Sequence, residues 1–131
     1  MIRPLGTLVV AVLLSMTLLT VNVRHRQKAE YLAGEEGEKN GNFMVALTGY
    51  ESAIRMYLPF SSRVELSAQR IWNLAEAAER KGDTERALAG FRSLRSAWYA
   101  VRWLTQPGQA WITRCDTKIA VLAALRKGSP Q

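Results

Sequence analysis

The chain has 131 residues, of which 18 are Lys or Arg and 11 are Asp or Glu, so its formal net charge is +7. This length suffices for one domain of modest size. A charged fraction of 22% with a hydrophobic fraction of 48% excludes a disordered tail and a protein with many membrane spans. A single Cys excludes an internal disulfide framework, and one Cys with one His leaves too few soft ligands for a zinc or iron–sulfur site. We therefore expect no metal and no cofactor.

An uncharged apolar segment, residues 5–23, lies near the N-terminus and has the sequence LGTLVVAVLLSMTLLTVNV. As a helix that rises about 1.5 Å per residue it would be ~28 Å long, which matches the ~30 Å hydrocarbon core of a bilayer. We predict that residues 1–23 form an N-terminal tail and a transmembrane anchor. A cleaved signal peptide is the alternative, but the segment is long for one and no Ala-x-Ala-like cleavage site lies near its end.

A basic cluster follows the apolar segment directly and consists of Arg24, His25, Arg26 and Lys28. We call these residues the basic collar and predict that they lie at the membrane interface, where cations contact lipid headgroups. His25 belongs to this collar because no second group that would support catalysis lies near it in the sequence. The collar exceeds the charge on the other side of the span by only about one unit, so the positive-inside rule leaves the membrane orientation open.

The remaining residues, 24–131, form one predicted helical domain, because helix signals alternate with turn signals and no run of alternating β-branched residues occurs. The predicted fold class is all-α. We expect helices over residues 27–39, 43–57, 62–80, 84–101 and 109–126. Asn42 and Asp83 are predicted N-caps, and Ser62 with Glu65 matches a capping box. The inward face of the last helix should comprise Trp111, Ile112, Cys115, Ile119 and Leu122.

Two stretches of the chain align without a gap at an offset of 41 residues. The recurring pairs are Gly41 and Gly82, Ala46 and Ala87, Leu47 and Leu88, Gly49 and Gly90, Tyr50 and Phe91, and Ser52 and Ser93. With Ala53 and Pro59 in the first copy, this pattern resembles the tetratricopeptide (TPR) repeat family. The resemblance implies helical hairpins over about residues 29–59 and 62–102, followed by a capping helix over about 109–126.

The first helices fit this family less well than the second ones. Glu30, Ala33 and Gly37 stand where the family usually has large apolar residues, and Leu94 replaces a small one. A plain bundle of antiparallel helices is the alternative, because Gly, Ala and aromatic side chains are ordinary packing residues at helix contacts. Both architectures are all-α.

No set of side chains indicates catalysis. Cys115 lies on a predicted apolar face, where a thiol is most often buried and inert. The chain has no Gly-rich phosphate loop, no Ser-x-x-Lys and no His-Glu-x-x-His. Glu35, Glu36 and Glu38 fit a solvated charged stretch. We expect no enzyme activity and no small-molecule substrate.

A second basic set lies on the fourth predicted helix and comprises Arg92, Arg95, Tyr99 and Arg102. We call this set the basic stripe, because its spacing aligns it beside the apolar face. We expect Trp98 and Trp103 to add an aromatic cluster to it. The stripe is predicted to bind another protein through an acidic segment, since Arg pairs well with carboxylates and aromatic rings add contact area. Binding to anionic lipid and an ordinary solvated face are alternatives. No nucleic acid is expected, because no groove-reading motif is present.

The resemblance to TPR proteins implies a surface that holds peptides or partner helices. The sequence therefore predicts a single-pass, membrane-anchored, non-catalytic adaptor or assembly factor. A structural accessory subunit of a larger membrane complex is one alternative, and a basic and aromatic module that binds a lipid surface is another. The partner, the side of the membrane and the oligomeric state are left open by the sequence.

Overall fold

The computed structural model describes residues 3–128, and this part of the chain contains five α-helices and no strand. The helices are α1 (Arg3–Lys39), α2 (Phe43–Arg55), α3 (Ser62–Arg80), α4 (Thr84–Ala100) and α5 (Gln109–Gly128). The prediction of an all-α chain is therefore confirmed. Residues 1–2 of the predicted anchor and residues 129–131 of the predicted helical domain lie outside the described residues.

The first helix joins the apolar segment to the packed part of the chain without a break. The sequence predicted a separate helix from about residue 27, but α1 is one helix of 37 residues. No Gly or Pro occurs between Thr7 and Ala33, so nothing in the backbone interrupts the helix at the collar. Its N-terminal part is long and apolar enough to cross a membrane, and none of that apolar window is buried.

The α1–α2 and α3–α4 turns have the same hydrogen-bond pattern at the offset of 41 residues. Gly41 and Gly82 take positive φ values of 68° and 76°, a backbone conformation that is strained for any residue with a side chain. The predicted N-caps Asn42 and Asp83 each accept a hydrogen bond from the amide three residues later, at 3.1 Å. Their own amides donate to the carbonyl five residues earlier, at 2.8 and 2.9 Å. The sequence repeat thus corresponds to two turns of one geometry.

The core lies between successive helices. α1 packs on α2, α2 packs on both α3 and α4, and α5 closes the stack against α4. Tyr50 of α2 and Phe91 of α4 are fully buried, and Trp72 of α3 lies edge-on to Phe91 at 4.8 Å between ring centroids. All five residues predicted to face inward on α5 are buried.

Two local predictions at α3 are wrong. Ser61, not Ser62, is the N-cap residue of α3, and its side chain makes no cap hydrogen bond. With Ser61 as the N-cap, the capping-box position three residues later is Val64, so Glu65 does not complete a capping box. The Oε1 of Glu65 instead accepts a hydrogen bond at 2.9 Å from Nε1 of Trp111 on α5. Leu66, in the first turns of the same helix, is half-exposed. The second helix is also shorter than predicted and ends at Arg55.

Candidate functional site

The basic stripe lies on α4 and the turn after it, on the flank that faces α5. Arg95 Nη1 contacts Oδ1 of Asp116 on α5 at 2.9 Å, so this guanidinium is engaged in an ion pair between the two helices. Arg92 and Arg102 are exposed and form no ion pair within residues 3–128. Tyr99 lies between them along the chain and is half-exposed. The stripe therefore offers two free guanidinium groups and one phenol ring.

The expected aromatic cluster beside the stripe does not form. Trp98 is buried, and its ring lies edge-on to Tyr57 at 6.2 Å between centroids. Trp103 lies in the α4–α5 loop and is exposed, because α4 ends at Ala100. The two indole rings therefore belong to different environments, one to the core and one to a loop.

The basic collar is exposed, as expected for charged side chains that follow an apolar segment. Arg24, His25, Arg26 and Lys28 all lie on the solvent-accessible sides of α1. None of them forms an ion pair with a carboxylate in the described part of the chain. Their charges are therefore available to an anionic surface.

Gln27, in the middle of the collar, is fully buried. Its Nε2 donates to the carbonyl oxygens of Ala53 at 3.1 Å and Met56 at 3.0 Å, which are left without helical partners at the end of α2. Its Oε1 accepts a hydrogen bond of 2.5 Å from the hydroxyl of Ser61. One side chain of α1 thus holds the end of α2 and the start of α3. Sequence reasoning missed this residue, and the only signal was an uncharged side chain among cations.

An open cleft of about 580 Å³ lies between α1 and α3. Arg70 bridges Glu35 at 3.2 Å and Glu38 at 3.4 Å, so two of the three glutamates assigned to a solvated stretch in fact hold α1 to α3. The hydroxyl of Tyr50 donates to Glu38 at 2.6 Å. Burial, together with this carboxylate, raises the pKa of Tyr50. Glu36 remains exposed at the rim.

Among residues 3–128, no three His, Cys, Asp or Glu side chains lie close enough to hold a metal ion. Burial raises the pKa of Cys115 to about 12, so its thiol stays protonated near neutral pH.

The C-terminal half of α5 has apolar side chains on its outer face, which no helix among the described residues covers. Val121 and Leu125 are both exposed there. The N-terminal half of the outer face is polar, with Thr113, Asp116 and Thr117 exposed, and the inner face carries the buried core residues.

Comparisons with family models, curated proteins and solved structures found no match to this chain.

Proposed function

We propose that this chain is a single-pass, membrane-anchored, non-catalytic adaptor whose TPR-like helical hairpins hold a partner protein close to the bilayer. The observation that carries the proposal is the continuity of α1. Its N-terminal part is apolar and unburied, whereas its C-terminal part packs against α2. One helix therefore belongs to both the membrane-compatible segment and the folded stack.

Such continuity fixes the position of the stack relative to the anchor. A flexible linker would let a tethered domain sample many heights and orientations. Here the helix passes through the collar without a Gly or Pro, and Gln27 fastens it to the end of α2. A partner bound to the stack would be held at a defined distance from the bilayer, which is what an adaptor or assembly factor needs.

The retained anchor is favoured over a cleaved signal peptide by the same feature. Cleavage after the apolar segment would cut α1 only a few residues before Gln27, whose side chain is part of the packing. The segment also lacks the small-residue cleavage pattern. An intact α1 satisfies both observations.

The TPR-like character is supported by the repeated turn geometry and by the stacking of hairpins on a closing helix. Short helical arrays of this kind present extended surfaces to peptides and partner helices. The surface that we assign to the partner is the basic stripe, because Arg92, Tyr99 and Arg102 are accessible and uncommitted, and guanidinium groups pair with the carboxylates of an acidic segment.

The test compares two charge-reversal variants with equal changes in net charge. Arg92→Glu with Arg102→Glu alters the stripe, and Arg80→Glu with Lys127→Glu alters exposed cations elsewhere. Arg95 is left unchanged, because a carboxylate there would face Asp116 and disturb the fold. We expect a stoichiometric partner to co-purify from native membranes with the wild type and the control, but not with the stripe variant.

Two results would contradict this proposal. A wild-type chain recovered alone from native membranes in mild detergent would argue against any stable protein partner. A folded stripe variant that keeps its partner would remove the stripe as the binding surface. Equal thermal unfolding midpoints of the two variants show that a loss of binding is not a loss of fold.

A structural subunit of a larger membrane complex is a second candidate, favoured by the outer face of α5. A permanent subunit exposes such a face only when it is isolated, and it then tends to self-associate. We expect the isolated full chain to form large oligomers in that case, and Val121→Gln with Leu125→Gln to suppress them. A monodisperse wild-type chain would count against this candidate.

A further inference from the structure

The packed domain has its most exposed large hydrophobic side chains at one end, where α1 leaves the stack toward the apolar segment. Phe60 in the α2–α3 loop is 94% exposed, and Trp103 and Leu104 in the α4–α5 loop are 85% and 82% exposed. No other large hydrophobic side chain in residues 24–128 is more than 61% exposed. We call this set the junction patch.

Both loops are held at this end by specific contacts. Gln27, which lies four residues after Val23, bonds to Met56 and Ser61 on either side of the α2–α3 loop. Tyr57 of that loop packs against Trp98 near the end of α4. The α4–α5 loop is held against the end of α4, because Nε2 of Gln106 donates a hydrogen bond to the Trp98 carbonyl at 2.8 Å.

We propose that Phe60, Trp103 and Leu104 insert into the headgroup layer of the bilayer that α1 crosses, so that the stack rests on the membrane surface. This inference depends on the proposed transmembrane anchor. Four helical residues after Val23 correspond to about 6 Å. The polar layer of one leaflet is about 5–7 Å thick, so the level of Gln27 coincides with its outer boundary. Loops that project below that level reach the layer itself.

The charges at this end identify lipid as the occupant. No Asp or Glu occurs in residues 22–28, 56–63 and 101–109. The cations of these segments that lie outside the basic stripe are Arg24, Arg26, Lys28 and Arg63. Anionic headgroups attract such a surface, and Trp prefers the membrane–water interface. The opposite end has mixed charge, because Glu36, Glu38 and Asp83 lie among its cations. An apolar patch ringed by cations only, at the height of the headgroups, matches an anionic membrane surface.

The experiment measures the immersion of labelled side chains in the full chain. Single chains are placed in lipid discs of phosphatidylcholine and phosphatidylglycerol, so that no second copy can cover the patch. An environment-sensitive fluorophore is attached in separate variants to Leu104→Cys, to Met44→Cys and to Leu13→Cys. Met44 is the matched control, because it is 60% exposed beside the opposite turn. Cys115 is buried, so it stays unlabelled in the folded chain.

We expect the Leu104→Cys label to be quenched by nitroxide-bearing lipids and protected from aqueous iodide. The Met44→Cys label should show the reverse, and the Leu13→Cys label should report immersion of α1. If Leu13→Cys is immersed but Leu104→Cys is as accessible to iodide as Met44→Cys, this inference is overturned while the anchor stands. If Leu13→Cys is not immersed, the anchor fails and the inference fails with it.

Tryptophan emission gives a second readout without a label. The other three tryptophans are buried, so Trp103 is the one that lipid can reach from this end. Brominated lipids should quench part of the wild-type emission, and Trp103→Phe should abolish that part. Equal quenching in the two proteins would contradict insertion.

The Leu104→Cys label can also be compared in native membranes and in pure lipid. Protection from iodide in native membranes but not in pure lipid would overturn the inference and would indicate that a protein covers the patch.

Discussion

Gly49 of α2 lies directly against the backbone of α1 at Gly34. A Cβ added at Gly49 would come within 2.5 Å of the Gly34 nitrogen. The second hairpin has the same relationship 41 residues later, where a Cβ at Gly90 would lie 2.7 Å from the Cβ of Ala75. Each hairpin therefore has a glycine at this position that lets its two helices approach closely. In the first hairpin Gly34 and Gly37 of α1 lie equally close to α2.

Gly49→Ala should destabilise the fold by about 1–3 kcal/mol, because α1 and α2 must move apart to admit the methyl group. The better helix propensity of Ala offsets at most about 1 kcal/mol of that loss. Thr48→Ala, at an exposed position one residue earlier, is the control and should change stability by less than about 0.5 kcal/mol. Chemical unfolding of the full chain in detergent measures both. A Gly49→Ala protein as stable as the wild type would mean that the two helices lie farther apart than described.

The sequence predicted features that depend on a few neighbouring residues and failed where distant residues meet. Asn42 and Asp83 cap their helices through amides three residues away, and both were identified. The sequence also misplaced the N-cap of α3 by one residue, and it could not reveal the hydrogen bond that Glu65 accepts from Trp111, 46 residues later. Gln27 was missed for the same reason, since its partners lie 26 to 34 residues away.

The candidate site shows the same limit. Helical spacing placed Arg92, Arg95, Tyr99 and Arg102 in one stripe on the fourth helix. The first three lie on α4, but Arg102 does not, because α4 ends at Ala100. Helical spacing in the sequence could not reveal that Arg95 already forms an ion pair, because its partner Asp116 lies on another helix. It also could not distinguish a buried Trp98 from an exposed Trp103, because that depends on where α4 ends.

Gln27→Ala should weaken the connection between α1 and the α2–α3 loop. The substitution leaves the carbonyls of Ala53 and Met56 without this donor, which costs about 1–3 kcal/mol for buried groups. We expect faster amide hydrogen exchange over residues 56–61, measured by mass spectrometry of the full chain. Exchange in the α1–α2 turn at the opposite end should not change.

Lys28→Ala serves as the control for this prediction, because Lys28 is the exposed neighbour of Gln27. It should leave exchange over residues 56–61 at the wild-type rate. If Gln27→Ala also exchanged at that rate, the buried amide would not be what holds the loop. The rigid connection between anchor and stack would then need another cause.

Arg95→Glu should reduce the unfolding free energy by about 1 kcal/mol, because it replaces an interhelical ion pair with two facing carboxylates. The pair is partly exposed, so the effect should shrink at high salt. The exchanged double variant, Arg95→Glu with Asp116→Arg, should recover most of the loss. A double variant as unstable as the single one would show that the two side chains do not interact.

Cys115 should be unreactive toward alkylating reagents in the folded chain. Burial raises its pKa from 9.0 to about 12, which lowers the thiolate fraction about a thousandfold at a given pH. Iodoacetamide at pH 8 should therefore modify the unfolded chain rapidly and the folded chain only as fast as it opens. Rapid modification without unfolding would place this thiol outside the core.

The same shift should make stability depend on pH in one direction. Above the pH at which the unfolded chain ionises this thiol, the folded chain still keeps it protonated. The unfolded state then binds fewer protons than the folded state, so a rise in pH stabilises the unfolded state relative to the folded one. The unfolding free energy should therefore fall as the pH rises above about 9, the ordinary pKa of a Cys thiol. Between pH 9 and 10 Cys115 contributes most of this slope, because an unfolded Tyr, with an ordinary pKa of 10.0, becomes half ionised only at the upper end of that interval. Cys115→Ala should therefore remove most of the slope in that interval and leave the smaller part that Tyr50 contributes, whereas an unchanged slope would have to come from another group.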